Sequence, residues 1–441
     1  MNYRGLSFWH DSVPDDLTPR PALPGDRDAD VAIVGGGLTG LWTAWYLLER
    51  DPTLRIVILE KEIAGFGASG RNGGWCSALF PRSTASLERT HGRDAALAMR
   101  RAMIDTVDEV GAVAASLGLD IDYAKGGTLA FARTPVQLRA AEAEVEEAAG
   151  YGVDPLELRG AASFDPNCAR VHPAKLVRGL ARAVEAKGAT IHEGTEVLDY
   201  RPHEVTTALG TVRADLVVIA TEGYGATLRA TRRRVLPLYS LMIATEPLTD
   251  AAWQEIGIEH GQTFTDYRHL LVYGQRTADN RVAFGGRGAR YHWGSAIRPE
   301  YDRVPAVFEH LRRTLGELFP VIGDAAVTHT WGGPLGVPRD WHATASFDRA
   351  NGMAWAGGYV GDGLSTTNLA GRTLADLLTG TESELTGLPW VGHHSPSWEP
   401  EPLRFLGANA GLAAMTVADA EEKLTKRPSI AARLMGPLTG H

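Results

Sequence analysis

Gly35, Gly37 and Gly40 form a G-x-G-x-x-G pattern directly after the apolar residues Val31, Ile33 and Val34. Glu60 closes the next apolar run, Ile56 to Leu59. Each residue type suits a task in holding a dinucleotide. Gly35 permits a tight turn, Gly37 lets the backbone approach a pyrophosphate, and Gly40 lets a helix lie close on a strand. The N-terminus of that helix offers free N–H groups and a positive dipole end to the phosphates. Glu60 stands about twenty residues beyond the last glycine, where the ribose hydroxyls need an acid. The chemistry therefore requires a strand, a glycine turn, a helix and a second strand ending at Glu60.

Two further segments point to a flavin rather than a nicotinamide. The run from Gly65 to Gly74 follows the second strand, and its glycines can bring backbone within hydrogen-bonding distance of a flat ligand. The turn from Gly358 to Gly363 opens a late helix. A helix N-terminus aimed at the flavin pyrimidine would stabilise the negative charge of the reduced ring.

The elements around these motifs follow from periodicity. Helices are expected over Asp94 to Leu117, Gln137 to Ala149, Ala174 to Lys187, Tyr301 to Phe319 and about Leu364 to Leu378. Thr190 to His192 and Glu196 to Leu198 read as short strands, Ala214 to Thr221 and Met353 to Ala356 as buried ones. Tyr239 to Thr245, His269 to Tyr273 and Arg281 to Phe284 alternate as an antiparallel sheet would, with a turn at Thr277 to Asn280. Residues before Asp30 read as a polar, proline-rich arm. Parallel strands at both ends with an antiparallel region between them imply a domain built from separated segments and a second domain inserted into it.

Composition narrows the function. The 441 residues are 44% hydrophobic and 22% charged, which suits a globular chain of two or three domains. A net charge of −9 argues against nucleic acid. Two cysteines, Cys76 and Cys168, cannot make a disulfide framework. The N-terminus lacks a signal-peptide pattern and no segment reads as a membrane span, so a cytoplasmic protein is expected. The histidines show no metal-ligand spacing, and no metal is expected.

The pairing of Gly35–Gly40 with Gly67-Ala-Ser-Gly-Arg-Asn-Gly-Gly74, the strand Asp215 to Thr221 and the late Gly358-Tyr-Val-Gly-Asp-Gly363 resembles the D-amino-acid oxidase superfamily of FAD-dependent oxidoreductases. Thr277-Ala-Asp-Asn-Arg-Val282 and Leu369-Ala-Gly-Arg372 are similar to its gamma-glutamylputrescine oxidase group. The resemblance covers about Val31 to Gly380. It implies an α/β (overall α+β) chain: a Rossmann-like FAD-binding domain of the glutathione-reductase type with an inserted antiparallel-sheet substrate domain. Residues 1–90, 161–230 and 341–380 would form the FAD-binding domain, 91–160 and 231–340 the substrate domain, and 381–441 a C-terminal tail with a helix.

By position, the resemblance implies that Gly35, Gly37, Leu38, Thr39 and Gly40 hold the pyrophosphate, Glu60 the adenosine ribose, and Lys61 lies beside the adenine. Val197 would contact the adenine through its backbone. Ser69, Arg71, Asn72, Gly73 and Gly74 would run along the cofactor, with Thr221 also on it. Gly358, Gly361, Gly363, Leu364 and Thr366 would cap the pyrimidine end. Enzymes of this kind remove a hydride from the carbon beside an amine to flavin N5. The imine then hydrolyses, and O2 usually reoxidises the flavin. No acid–base residue stands out as a motif, because the cofactor carries the chemistry.

Substrate-pocket candidates are Trp75, Tyr267, Tyr273, Arg290, His292 and Trp331, with His269 and Trp293 beside them. Arg290 is the candidate carboxylate clamp. Trp75 follows the double glycine where related enzymes often carry Gln or His, making that wall larger and apolar. No lysine lies between Lys187 and Lys423, whereas several amine oxidases activate O2 with one from this region. Arg287 or Arg290 would have to substitute, so a dehydrogenase passing electrons to a quinone or carrier stands beside the oxidase reading. A non-catalytic FAD-binding subunit is the third reading. The FAD is expected to be non-covalent, with Cys76 the one nearby attachment residue. The tail helix, Leu403 to Lys426, could pack on the core, make a homo-oligomer contact or touch a membrane surface.

Overall fold

The computed structural model describes residues 2–432. Arg27–Val34 occupies the middle of an eight-stranded sheet, parallel to Thr211–Ile219 on one side and Ile56–Leu59 on the other. Thr190–His192 and Met353–Gly357 extend the parallel part, and Thr344–Asp348 closes one edge antiparallel. Val197–Arg201 and Glu204–Thr207 branch from Thr211–Ile219 as an antiparallel pair of strands. Val31, Ala32 and Ile33 are wholly buried. Burial on both faces is why these strands read as continuous apolar runs instead of alternating ones.

The helices Leu38–Arg50 and Gly363–Thr379 cover one face and cross closely. A Cβ at Gly371 would stand 2.6 Å from the Trp42 Cβ, so only glycine permits this crossing. Arg93–Ser116 and Pro173–Ala186 complete the layer.

The second eight-stranded sheet runs in the order Val327–Val337, Leu236–Thr245, Val282–Arg287, Val272–Arg276, Thr263–Asp266, Thr128–Phe131, Ala162–Asp165 and Glu157–Arg159. All its pairs are antiparallel except Thr263–Asp266 with Thr128–Phe131. The helix Pro305–Leu318 covers it through Leu311, Leu315 and Leu318. The fold class is the expected one, a Rossmann-like α/β unit joined to an antiparallel-sheet unit.

Three local expectations need correction. The strand expected at His269 to Tyr273 is Val272–Arg276. His269, Leu271 and Tyr273 keep the alternation, but the N–H groups of His269 and Leu270 donate to Asp419 of the C-terminal helix at 2.7 and 3.0 Å, which takes them out of any ladder. The helix expected from Tyr301 begins at Pro305, after a 3₁₀ turn at Pro299–Asp302. The N-terminal arm is an integral wedge. Phe8, Trp9, Val13 and Leu17 are buried against Met242 and Trp331, and Trp9 Nε1 donates to the Asn72 carbonyl at 2.8 Å. Its polar and proline-rich composition hid four apolar anchors. Among the described residues no helix is long and apolar enough to cross a membrane.

Candidate active site

A cavity of about 500 Å³ runs between the two sheets, a size that suits a ligand pocket. Its first end lies at the carboxyl ends of the parallel strands. Gly35 turns at φ +110°, and a Cβ there would meet the Ala220 carbonyl oxygen at 2.5 Å. At Gly40 a Cβ would meet the Gly35 carbonyl oxygen at 2.2 Å, so Gly40 sits behind the wall and fastens helix to turn. Gly37, Leu38 and Thr39 face the cavity. The Leu38 N–H donates to Ser69 Oγ at 2.9 Å, which joins the first glycine motif to the second. Glu60 accepts from the N–H groups of Gly36 at 2.8 Å and Glu62 at 3.0 Å. Burial pushes its pKa up to about 7, against those two bonds. Each oxygen retains a lone pair for a hydroxyl. Lys61 pairs with Glu196 at 2.7 Å at the exposed mouth, with Val197 beside it.

Asn72, Gly73 and Trp75 continue along the floor. Alternation on the strand Trp75–Ser77 turns Trp75 and Ser77 to the cavity and Cys76 into the core, within 4.0 Å of the Val107 carbonyl. Cys76 is therefore not placed for a bond to a ligand in the cavity. Arg71 is buried and held by Asp302 at 2.7 Å, the Gly332 carbonyl at 2.9 Å and the Tyr224 hydroxyl at 2.6 Å. Thr221 also faces the cavity, and its buried Oγ1 has no partner. Gly361, Gly363 and Leu364 close the far end, where the N-terminus of the helix Gly363–Thr379 is left without a side-chain cap.

The roof comes from the second sheet. The Tyr273 ring lies edge-on to Trp75 at 6.1 Å, and its hydroxyl is hydrogen-bonded to Ser240 Oγ at 2.7 Å. Arg287 reaches across to donate to the Val360 carbonyl at 2.7 Å and lies over the Trp341 ring. Among the described residues no carboxylate lies within ion-pair distance of it. Burial lowers its pKa, with Asp362 and Tyr273 acting the other way. Asp362 is itself pushed up to about 6 by burial, opposed by Arg287.

Other sequence candidates stand away from the cavity. Arg290 is exposed at the surface, three residues past the guanidinium that does face inward. Tyr267 bonds to Ser163 and Glu144. His292 stacks on Tyr301 at 3.4 Å, and Trp293 lies on Phe405. His269 Nε2 meets Glu422 at 3.0 Å. Trp331 is buried behind the floor and donates to the Arg71 carbonyl at 2.9 Å. Gly74, Gly358 and Thr366 brace the wall from behind. The Gly74 N–H donates to Asn72 Oδ1, the Gly358 N–H to Glu222, and Thr366 Oγ1 to the Asp362 carbonyl. Of these pocket candidates Trp331 alone lies on a strand, where alternation turns it to the core; Tyr267, His269, Arg290, His292 and Trp293 lie outside the strands.

Ser240, Glu222, Tyr224, Asp302 and Tyr359 line the cavity without a motif to announce them. Glu222 had the best signal, an acid three residues past the end of the strand Thr211–Ile219. It accepts from Gly336 at 3.2 Å and Gly358 at 2.8 Å, tying both sheets to the late glycine turn. Burial raises its pKa from 4.5 to about 7. The folded state thus holds that proton more tightly than the unfolded chain. Its contribution is full below about pH 4.5 and is lost as pH rises through 7. Glu222→Gln should therefore gain thermal stability relative to wild type between pH 5 and 8, most clearly in deflavinated protein. Parallel melting curves across that range would contradict the assignment.

Residues 30–377 match the family described as DAO, FAD dependent oxidoreductase. The chain belongs to this family. Gamma-glutamylputrescine oxidoreductase of Escherichia coli is 30% identical over 408 residues, covering 88% of this chain and 92% of the relative. The probable oxidoreductase OrdL of Rhizobium meliloti is 30% identical over 399 residues, covering 86% and 89%. The crystal structure of glycine oxidase from Geobacillus kaustophilus superposes with a TM-score of 0.68 at 24% identity, covering 83% of this chain and 99% of that one. The protein is an FAD-dependent oxidoreductase. The glycine cradle, the unpartnered Thr221 hydroxyl and the open helix end at Gly363 fit its FAD.

Proposed function

We propose that this enzyme oxidises the C–N bond of an amine that also carries a carboxylate, bound between Trp75, Tyr273 and Arg287. The observation that carries the reading is Arg287, a half-buried cation with no carboxylate of the described residues within ion-pair distance, set at the end of the cavity formed by the turn Tyr359 to Gly363. A planar guanidinium suits bidentate capture of a carboxylate. FAD, when bound, supplies the hydride acceptor. Gly35, Gly37, Leu38 and Thr39 would hold its pyrophosphate, Glu60 and Val197 its adenosine half, and Asn72, Gly73 and Leu364 its ring. Trp75 and Tyr273 exclude water and orient the substrate carbon, while Ser240 fixes the Tyr273 hydroxyl. The name of the Escherichia coli relative, a substrate with both amine and carboxylate groups, supports the same class.

Anaerobic mixing with a carboxylated amine and with its methyl ester tests the reading. The acid should bleach the flavin at much lower concentration than the ester. Equal behaviour would remove Arg287 from this role. For the acceptor we favour O2, reacting slowly. A fixed cation lowers the barrier to the first electron transfer, and at the roof that cation is an arginine whose charge is spread over a planar fork. Stopped-flow reoxidation should be slower than in a lysine-equipped amine oxidase run alongside, and an equal rate would show that another group serves.

A further inference from the structure

The C-terminal helix Leu403–Thr425 uses only one side to hold the body of the protein. On that side Arg404, Ala418 and Glu422 are buried, Asn409 exchanges hydrogen bonds with the Tyr291 backbone, and Asp419 holds the N–H groups of His269 and Leu270. The opposite side carries an exposed apolar stripe: Leu403, Leu406, Ala410, Ala413, Val417, Ala420 and Leu424. Their spacing alternates three and four residues over the whole helix, the a/d pattern of a coiled-coil seam. Leu403 is 61% exposed, Leu406 60%, Val417 58% and Leu424 83%. A helix that only packs on its own body needs one apolar stripe, here Phe405, Ala408 and Ala418, and this one has a second.

We propose that this stripe is the contact with a second copy of the chain, the two helices pairing antiparallel about a two-fold axis. A two-fold contact requires a self-complementary surface. With the axis near Gly411, Leu403 lies against the partner's Ala420, Leu406 against the partner's Val417, and Ala410 against the partner's Ala413. Large residues face smaller ones at the ends, and small residues at the centre let the backbones approach. Charge favours this occupant. From Leu403 to Ala420 every exposed position is uncharged, so two copies meet without repulsion. An interfacial membrane helix would instead carry a row of Lys and Arg on its polar face. Trp293, 58% exposed and packed on Phe405, adds an aromatic anchor at the same end. The stripe and Trp293 would bury roughly 1,000 Å² over both copies, at the lower bound for a specific interface. Because the same helix fixes His269 and Leu270, pairing would also steady Leu271 in the cavity wall.

Sedimentation of the flavin-loaded full chain at micromolar concentration tests this. Wild type should have twice the 47.4 kDa mass of the chain. Leu406→Glu with Val417→Glu should be a monomer with unchanged flavin content, as should Leu406→Lys with Val417→Lys. An equimolar mixture of the two should dimerise again, since the antiparallel register sets residue 406 of one copy against residue 417 of the other. Should a charged variant lose its flavin, Leu406→Ser with Val417→Ser gives the same reading. A monomeric wild type, a dimer that survives both charged variants, or a mixture that stays monomeric would overturn the proposal. So would a monomeric wild type that floats with phosphatidylserine vesicles, which would assign the stripe to a membrane.

Discussion

Gly37→Val should purify folded and colourless. The backbone at Gly37 caps the helix Leu38–Arg50 in an extended conformation with φ −84°, which valine can adopt, so the chain itself is not strained. The space is the obstacle. A Cβ at residue 37 already comes within 2.9 Å of Ser69 Oγ, and the two further methyls project into the strip of cavity that a pyrophosphate needs. The hydroxyl of Ser69 would also be pushed from the Leu38 N–H that it now accepts. Absorbance at the flavin band per mole of protein gives the answer directly. Wild type should release its yellow colour into the supernatant on acid precipitation, since Cys76 faces the core. A fully loaded Gly37→Val protein would mean that the cofactor lies elsewhere.

Arg287→Met should weaken turnover of a carboxylated amine while leaving flavin content intact. Methionine fills much of the arginine stem without the charge. Losing a hydrogen bond to a charged group costs about 1.5–3 kcal/mol, or roughly 10- to 150-fold in kcat/KM. Most of the loss should fall on KM, because the substrate carboxylate is bound alike in ground and transition states. The methyl ester of the same amine should lose little further. Arg290→Met, at the surface, should change neither parameter. Equal effects of the two substitutions would show that the roof strand is placed in the wrong register.

Much of the cofactor end was legible because its residues act through backbone. Gly35 needs a turn that only glycine makes easily, Gly40 a helix against a carbonyl, and Glu60 an acid at the end of a strand; each demand leaves a fixed residue at a fixed spacing. The parallel strands were legible for a related reason, since burial on both faces writes an unbroken apolar run. The roof was not. Tyr273 and Arg287 face the cavity while Arg290 and His292 lie past the end of the strand Val282–Arg287, where no alternation marks which way a side chain turns. What fixes the start of the strand Val272–Arg276 is also remote: Asp419, about 150 residues on, holds the N–H groups of His269 and Leu270. Phe8 and Trp9 were hidden likewise, because their partner Trp331 lies more than 300 residues away.

Anaerobic titration of the purified holoenzyme tests the central claim most directly. Amines with and without a carboxylate, hydroxy acids and reduced nicotinamides would each be added while the oxidised flavin band is followed. The site described here predicts bleaching by an amine bearing a carboxylate, with an aldehyde or keto acid recovered as product. Bleaching by hydroxy acids or nicotinamides and by no amine would contradict it.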